Sequence, residues 1–219
     1  MPRPTGAHMA ERGVHFALTP EQEARLLAAA EADAEAYAEA YAQAVAHARE
    51  RAQAGDEAEE DEDEDEGEEG DGDEEGDAVQ REVDALEAAW ASLQAEGWLC
   101  ETDKAWDPIH RCFCKGKLLY EGGESPLNLL VCGGRQLSCN DDYTVSLVTA
   151  DQVAAVAQAA AQVTREGLRQ RYGQIKQRGY AHRLGEADFD DAWANFQDLT
   201  AFFARAAAAG RAVIFTVDA

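Results

Sequence analysis

Six polar or aromatic side chains in this sequence are of types that could bind a small polar ligand or move a proton. They are Asp103, Lys104, Trp106, His110, Asp142 and Tyr143. An imidazole, a carboxylate and a phenol in one cleft can do acid–base work, and a tryptophan face can hold a flat ligand. The sequence therefore predicts a candidate ligand-binding site from these residues, with no catalytic residue assigned.

Two predicted elements must meet for these side chains to share a cleft, and the first is a helix. Trp106 and His110 are four residues apart, so they lie on one face of any helix that covers both. Asp103 is a candidate N-cap for this helix. A start at Asp107 is preferred, however, because it puts Pro108 at the first helical position, where proline is favoured.

The second element is a pair of strands. The apolar run 126–132 is predicted as a strand that ends at two glycines. A polar loop over residues 135–142 then leads to a second strand, 143–148. Asp142 and Tyr143 would stand at the entrance of that strand, where polar side chains can reach a helix packed across the sheet edge. We expect both to meet the tryptophan and the histidine of the helix.

Each of these residues also has an interpretation that needs no ligand. A single histidine at an apolar helical position is commonly a core residue bonded to a neighbour. Trp106 is of a type that fills cores, the pair Gly133-Gly134 can simply form a turn, and Asp142 can cap the backbone at the end of a loop. The sequence leaves both interpretations open.

The rest of the pattern predicts an α+β fold. Residues 13–18 and 211–217 have the apolar, β-branched character of strands. Helices are expected to begin at the N-caps Thr19, Thr149 and Thr164, the first two with a capping box. Further helices are expected over residues 79–94, with Gly97 as the C-cap, and over the aromatic stripe 189–203. Together these elements give a small, mainly antiparallel or mixed sheet of about four short strands packed by helices.

A long acidic segment interrupts this pattern. Residues 56–77 hold 17 Asp and Glu and no Lys or Arg, so the rest of the chain carries 27 acidic against 19 basic residues, which is −8 of the formal −25. Such a run repels itself and has nothing apolar to bury, which favours disorder. We predict a flexible N-terminus at 1–12, one domain formed by 13–54 and 79–219, and a disordered, dispensable insert at 55–78.

The charge pattern also limits the partners. The insert is expected to keep the protein in solution, and the alternative is that it docks onto a basic protein surface. Nucleic acid is disfavoured as a partner because no basic stripe with interleaved aromatics offsets the negative charge. No apolar window of about 18 residues exists to span a membrane, and the N-terminus lacks the apolar core of a secretory signal. We therefore expect a cytoplasmic protein with no membrane partner; its oligomeric state is left open.

The cysteines raise the question of a zinc site. They are Cys100, Cys112, Cys114, Cys132 and Cys139. Their number is odd, they give one C-x-C and no C-x-x-C, and three of them lie in or beside apolar runs. This spacing is typical of buried, reduced thiols and not of metal ligands. We predict no metal and no cofactor.

Several motifs taken in order resemble one known family. They are the run Trp98–Cys112 (WLCETDKAWDPIHRC), then Pro126-Leu127, Gly133–Leu137 (GGRQL), Asp141–Tyr143 (DDY), Ser146–Thr149 (SLVT) and the ending Gly210–Asp218 (GRAVIFTVD). The chain resembles the YfbM-like proteins, a domain of unknown function, over about residues 13–30 and 97–219. The resemblance implies an α+β fold and a bacterial cytosolic protein, and it assigns no reaction. Pro108 and the long acidic connection depart from the family pattern.

Two classes of function remain. The sequence has no G-x-S-x-G, P-loop, H-E-x-x-H or dinucleotide fingerprint. A cysteine nucleophile would need Cys114 on the face of His110, and no third group is evident to orient the imidazole. A non-catalytic intracellular binding or interaction module is therefore favoured. The alternative is an enzyme that acts on a small polar or nucleotide-like ligand through His110, Asp142 and Tyr143.

Overall fold

The computed structural model describes residues 12–53, 78–140 and 143–218. Within these ranges the chain forms seven α-helices and five strands. In chain order they are β1 (Gly13–Leu18), α1 (Pro20–Gln53), α2 (Ala78–Ala88), α3 (Trp90–Glu96), β2 (Leu99–Asp103), α4 (Trp106–Phe113), β3 (Arg135–Asn140), β4 (Tyr143–Val148), α5 (Ala150–Ala160), α6 (Arg165–Tyr172), α7 (Glu186–Ala208) and β5 (Ala212–Asp218). A short 3₁₀ turn, Leu127–Leu130, precedes β3.

The strands form one open sheet in the order β2-β1-β5-β4-β3. All four neighbouring pairs are antiparallel. The first and last strands of the domain therefore lie side by side at its centre, with Phe16 opposite Ile214. The predicted α+β class and antiparallel sheet are confirmed, and the sheet has five strands where about four were expected.

Helices cover both faces of this sheet, and strand alternation sorts the apolar side chains between two cores. Phe16, Val145 and Ile214 point to the face covered by α1, α2 and α3. Phe215 and Val217 point to the opposite face, where α4 to α7 pack. Successive residues of a strand point to opposite faces of the sheet. The position of a residue along its strand therefore decides which of the two cores its side chain can reach.

Local signals fix where several helices begin and end. Thr19 and Gln22 form the predicted capping box, in which the Thr19 N–H donates to Gln22 Oε1 at 2.8 Å and the Gln22 N–H donates to Thr19 Oγ1 at 3.3 Å. Thr149 repeats this arrangement at the start of α5, and Thr164 Oγ1 caps α6. Gly97 ends α3 in the left-handed conformation, as predicted.

The predicted strand 126–132 is wrong. Leu127–Leu130 forms a 3₁₀ turn, because this segment crosses the core between helices and not along a sheet edge. Leu130, Val131 and Cys132 are all buried, and the Leu130 carbonyl oxygen lies 2.9 Å from His15 Nε2 and not in a strand ladder. A short apolar run buried on every side cannot be distinguished from a strand by its periodicity.

The predicted polar loop 135–142 is also corrected, because Arg135–Asn140 forms the edge strand β3. An edge strand tolerates polar residues, since it pairs with another strand on one side only. Gln136 adds side-chain bonds to the carbonyl oxygens of Cys132 at 2.6 Å and Gly134 at 3.1 Å. At Gly134 a Cβ atom would lie 2.4 Å from the Leu147 carbonyl oxygen, so only glycine fits there.

Helix boundaries differ from the predictions at two further places. Helix α4 begins at Trp106 and not at Asp107, and Pro108 is accommodated because it lies in the first turn, where its missing N–H has no intrahelical partner anyway. The predicted helix 79–94 is divided near Ala89 into α2 and α3.

Parts of the predicted organisation fall outside the described residues. These are residues 1–11 of the N-terminal segment and residues 55–77 of the insert, whereas Ala78 begins α2. Among the described residues, no helix combines the length and the apolar character needed to cross a bilayer.

Candidate functional site

The structure places four of the six candidate residues at or beside helix α4. Trp106 is buried and packs on Phe215, with ring centroids 5.7 Å apart. His110 is buried one turn later. Asp103 is the exposed last residue of β2, at a φ of 42°, and Lys104 lies in the exposed connection from β2 to α4.

His110 has the surroundings of a structural histidine. Its Nε2 lies 2.6 Å from the Leu119 carbonyl oxygen, so this nitrogen carries the proton and donates it. Nε2 also lies 3.5 Å from Cys114 Sγ, but a protonated nitrogen cannot accept the thiol proton. Burial lowers the pKa of His110, which keeps the ring neutral. The geometry therefore does not form the Cys–His pair that a nucleophile requires.

Tyr143 does not converge with Trp106 and His110. It starts β4 on the opposite side of the sheet, among the side chains packed under α1 to α3, and its hydroxyl donates to Glu87 at 3.3 Å. The expected convergence is wrong because the strand parity of Tyr143 points it away from α4. Asp142 lies outside the described residues.

A cleft does exist beside Trp106, and we call it the Arg111 cleft. Its volume is about 260 Å³. It is lined by Trp106, Asp107, Arg111, Leu118, Tyr120, Thr144, Gly179, Ala181, His182 and Val217. Helix α4 supplies the charged wall, β4 and β5 supply the floor, and the connection from α6 to α7 closes one side. This volume is slightly below the usual range of ligand sites, about 300–1,000 Å³, so only a small ligand would fit.

The central feature of the cleft is a buried ion pair. Arg111 Nε lies 2.5 Å from Asp107 Oδ1, and each side chain keeps only 10% of its surface exposed. The guanidinium carbon of Arg111 also lies 5.6 Å from the centre of the Tyr180 ring. The Tyr180 hydroxyl in turn donates to the Asp188 carboxylate at 3.0 Å. The arginine is therefore held on one edge by a carboxylate and on one face by an anchored aromatic ring.

The other edge of this guanidinium is available. Among the described residues, its two Nη atoms donate to no side chain or backbone group. The adjoining walls include the side chains of Trp106, His182 and Thr144. Such an arrangement can bind a carboxylate or phosphate through the Nη atoms and a flat group against the indole.

Arg111, Asp107 and His182 were not selected from the sequence. The sequence indicates Asp107 only as an N-cap, and Arg111 follows it by four residues, which is a common spacing for exposed helical ion pairs. The available signal is the position of this pair on a short helix whose other residues, His110 apart, are apolar. Since all eight residues of α4 are buried, a charged pair there had to be enclosed.

The thiols of Cys112 in α4 and Cys114 directly after it are expected to be unreactive. Burial raises the pKa of Cys112 to about 12, which leaves roughly a thousandfold less thiolate than an ordinary cysteine. Burial also raises the pKa of Cys114. The test is treatment of the native protein with iodoacetamide followed by peptide mass mapping, with Ser92→Cys as an exposed control thiol. Cys112 and Cys114 should both be unmodified when the control thiol has reacted completely. Rapid labelling of Cys114 that is lost in His110→Gln would instead support a Cys–His pair.

Metal binding finds no support in the described part of the chain. There, no three His, Cys, Asp or Glu side chains come together in a group that could hold an ion. Cys100, Cys112, Cys114 and Cys132 are free thiols. The prediction that the protein carries no metal remains open to elemental analysis of the purified protein.

Comparison with known proteins places the chain in a family. A solved structure similar to it is described as the crystal structure of a protein of unknown function, YfbM, from Escherichia coli; it is 17% identical, with coverage of 64% of this chain and 92% of that one and a TM-score of 0.45. None of the curated proteins matches the chain. The family model for a domain of unknown function, DUF1877, matches residues 9–216. This confirms the resemblance found in the sequence motifs, and the chain belongs to the DUF1877 family.

Proposed function

We propose that this chain is a non-catalytic, cytoplasmic binding module whose Arg111 cleft takes a small ligand that carries a carboxylate or phosphate beside a flat group. The supporting observation is a buried arginine that lines a cleft, is fixed by Asp107 through its Nε and is packed against the Tyr180 ring. An arginine held in this way loses little side-chain entropy when an anion binds, so its hydrogen bonds contribute more fully to affinity.

The non-catalytic assignment rests on the state of the groups that could react. The Asp107 carboxylate is engaged by Arg111, so it is a poor general base. His110 donates to a backbone carbonyl and does not line the cleft. Burial raises the pKa of Tyr180 further above its ordinary value, so its phenol stays protonated and serves as a platform for the arginine.

The acidic insert is assigned a separate role. Residues 55–78 are proposed to contact a basic protein surface, which they would attract at long range. The second half of α1 supports this role. Residues 34–49 are exposed to solvent, with Val45 half-buried, and they extend beyond the packed part of the helix before the insert begins. A pull-down that is lost when residues 55–77 are deleted, with the melting temperature unchanged, is the expected result.

A thermal-shift screen tests the cleft. Among metabolites that carry phosphate or carboxylate groups, we expect at least one to raise the melting temperature, because a ligand that binds the native state stabilises it by mass action. Arg111→Lys keeps the positive charge and removes the planar, forked guanidinium. It should lower the affinity for that ligand by about tenfold or more. The matched control is Arg171→Lys, which alters an arginine paired with Glu124 outside the cleft.

Three results would count against the proposal. One is that no compound shifts the melting temperature, and another is that Arg171→Lys weakens binding as much as Arg111→Lys. The third is chemical turnover of the bound compound, which would favour the enzyme alternative. If Arg111→Lys fails to fold, Tyr120→Ala replaces it, because Tyr120 lines the cleft and is exposed.

A further inference from the structure

Helix α1 is far longer than its packing requires. It runs from Pro20 to Gln53, yet its buried residues, Leu26 and Ala29, lie in the first third. Asp33 marks the end of the packed part, since its carboxylate accepts the N–H groups of Ala78 and Val79 at 2.8 and 2.9 Å. The remaining residues, 34–53, extend for about 30 Å at the ordinary rise of a helix. Residues 34–49 are exposed or half-buried.

This projecting part of α1 carries large apolar side chains in solvent. Tyr37 is 75% exposed and Tyr41 is 64% exposed. Together with Val45 they follow spacings of four residues, so they form one stripe along the helix. Exposed tyrosines at such spacing are typical of a surface that is covered by another helix.

The charges beside this stripe identify the partner. Glu35 lies at the start of the stripe and Arg49 at its end, and both flank the stripe on the same side because they are 14 residues apart, close to four helical turns. A helix that is acidic at one end and basic at the other complements a second copy of itself only when the two run antiparallel. In a parallel pair, Glu35 would face Glu35 and Arg49 would face Arg49.

We propose that residues 34–49 form an antiparallel, two-fold symmetric helix pair with a second copy of this chain. Two copies aligned about an axis near Gln43 place Tyr41 against Val45 of the second copy, and Glu35 beside Arg49 of the second copy, each twice by symmetry. Small alanines fill the layers on either side, as Ala38 and Ala48 face each other across the pair.

The acidic insert favours the same orientation. It follows α1 directly and carries 17 acidic residues between positions 56 and 77. An antiparallel pair sets the two points where the inserts begin, after Gln53 of each copy, at opposite ends of the interface, whereas a parallel pair would bring these two points together and their charges would repel. The sequence outside the interface therefore also selects against the parallel arrangement.

Sedimentation of the full chain over a concentration series tests the proposal. The wild-type chain should pass from monomer to dimer, and Tyr41→Glu should stay monomeric because it puts a charge into the apolar seam. Glu35→Arg should raise the dimer dissociation constant by about tenfold, since it sets like charges side by side twice. Its matched control is Glu39→Arg, the same change on the side of the helix away from the stripe, which should leave the constant nearly unchanged.

Mixing two variants separates this pairing from other modes of association. Glu35→Arg alone and Arg49→Glu alone should each dimerise weakly. Their equimolar mixture should form a heterodimer at least as tight as the wild-type dimer, because both charge pairs are restored across the interface. A wild-type chain that stays monomeric at its highest soluble concentration would overturn the proposal. A mixture no tighter than its components would overturn it as well.

Discussion

Replacing Asp107 with alanine is expected to lower the free energy of unfolding by about 3–5 kcal/mol. The carboxylate is the ion-pair partner of Arg111, and both side chains are largely enclosed. Removal of one partner leaves a buried guanidinium without its counter-charge, and the desolvation of that charge is then uncompensated. Urea unfolding of the wild type and the variant measures the difference.

Two controls show whether the effect comes from burial of the pair. Asp190→Ala breaks the pair with Arg165, in which both side chains are 53% exposed, and it should cost less than about 1 kcal/mol. The double variant Asp107→Leu/Arg111→Met replaces both charges and should recover most of the lost stability. If Asp107→Ala costs no more than Asp190→Ala, the Asp107–Arg111 pair does not hold the cleft together.

The second large effect is acid destabilisation through His15. This residue lies in the centre of β1 against Phe215, with ring centroids 4.8 Å apart, and it is completely enclosed. Burial lowers the pKa of His15 from 6.5 to about 4. The unfolded chain therefore binds a proton at this histidine below pH 6.5, whereas the folded chain binds it only near pH 4.

The sign of the effect follows from that difference. The contribution of neutral His15 to the free energy of unfolding is complete above pH 6.5. About 3 kcal/mol of this free energy is lost as the pH falls from 6.5 to 4. His15→Gln keeps a side-chain N–H for the Leu130 carbonyl oxygen and does not titrate. Urea unfolding between these pH values should show a shallower loss for His15→Gln than for the wild type. Parallel losses in both proteins would mean that His15 is not responsible.

The elements that were predicted correctly are those fixed by nearby residues. The capping boxes at Thr19 and Thr149 and the glycine cap at Gly97 each depend on contacts within a few residues, so the sequence contains all the information they need. The 3₁₀ turn at Leu127–Leu130 and the edge strand β3 depend on what packs against them. A buried turn and a buried strand are equally apolar, and an edge strand is as polar as a loop.

The placement of the candidate residues depends on distant packing in the same way. Trp106 and a side chain near the start of β4 line the same cleft, so α4 does lie beside this strand. The strand side chain that faces α4 is Thr144 and not Tyr143, because a shift of one residue reverses the face of the sheet. The pattern of α4 does not indicate what covers Arg111, since Tyr180 does so from a connection distant in sequence.

The four tryptophan indole N–H signals in an NMR titration test the central claim most directly. Inorganic phosphate and malonate serve as minimal probes of the Arg111 cleft, and Trp106→Phe assigns the signal of its wall. We predict that the Trp106 signal moves with either probe, that the Trp90 signal from the cleft on the opposite sheet face does not, and that Arg111→Lys abolishes the movement. Unchanged spectra at tens of millimolar probe, or movement of Trp90 in place of Trp106, would contradict the assignment of this cleft as the ligand site.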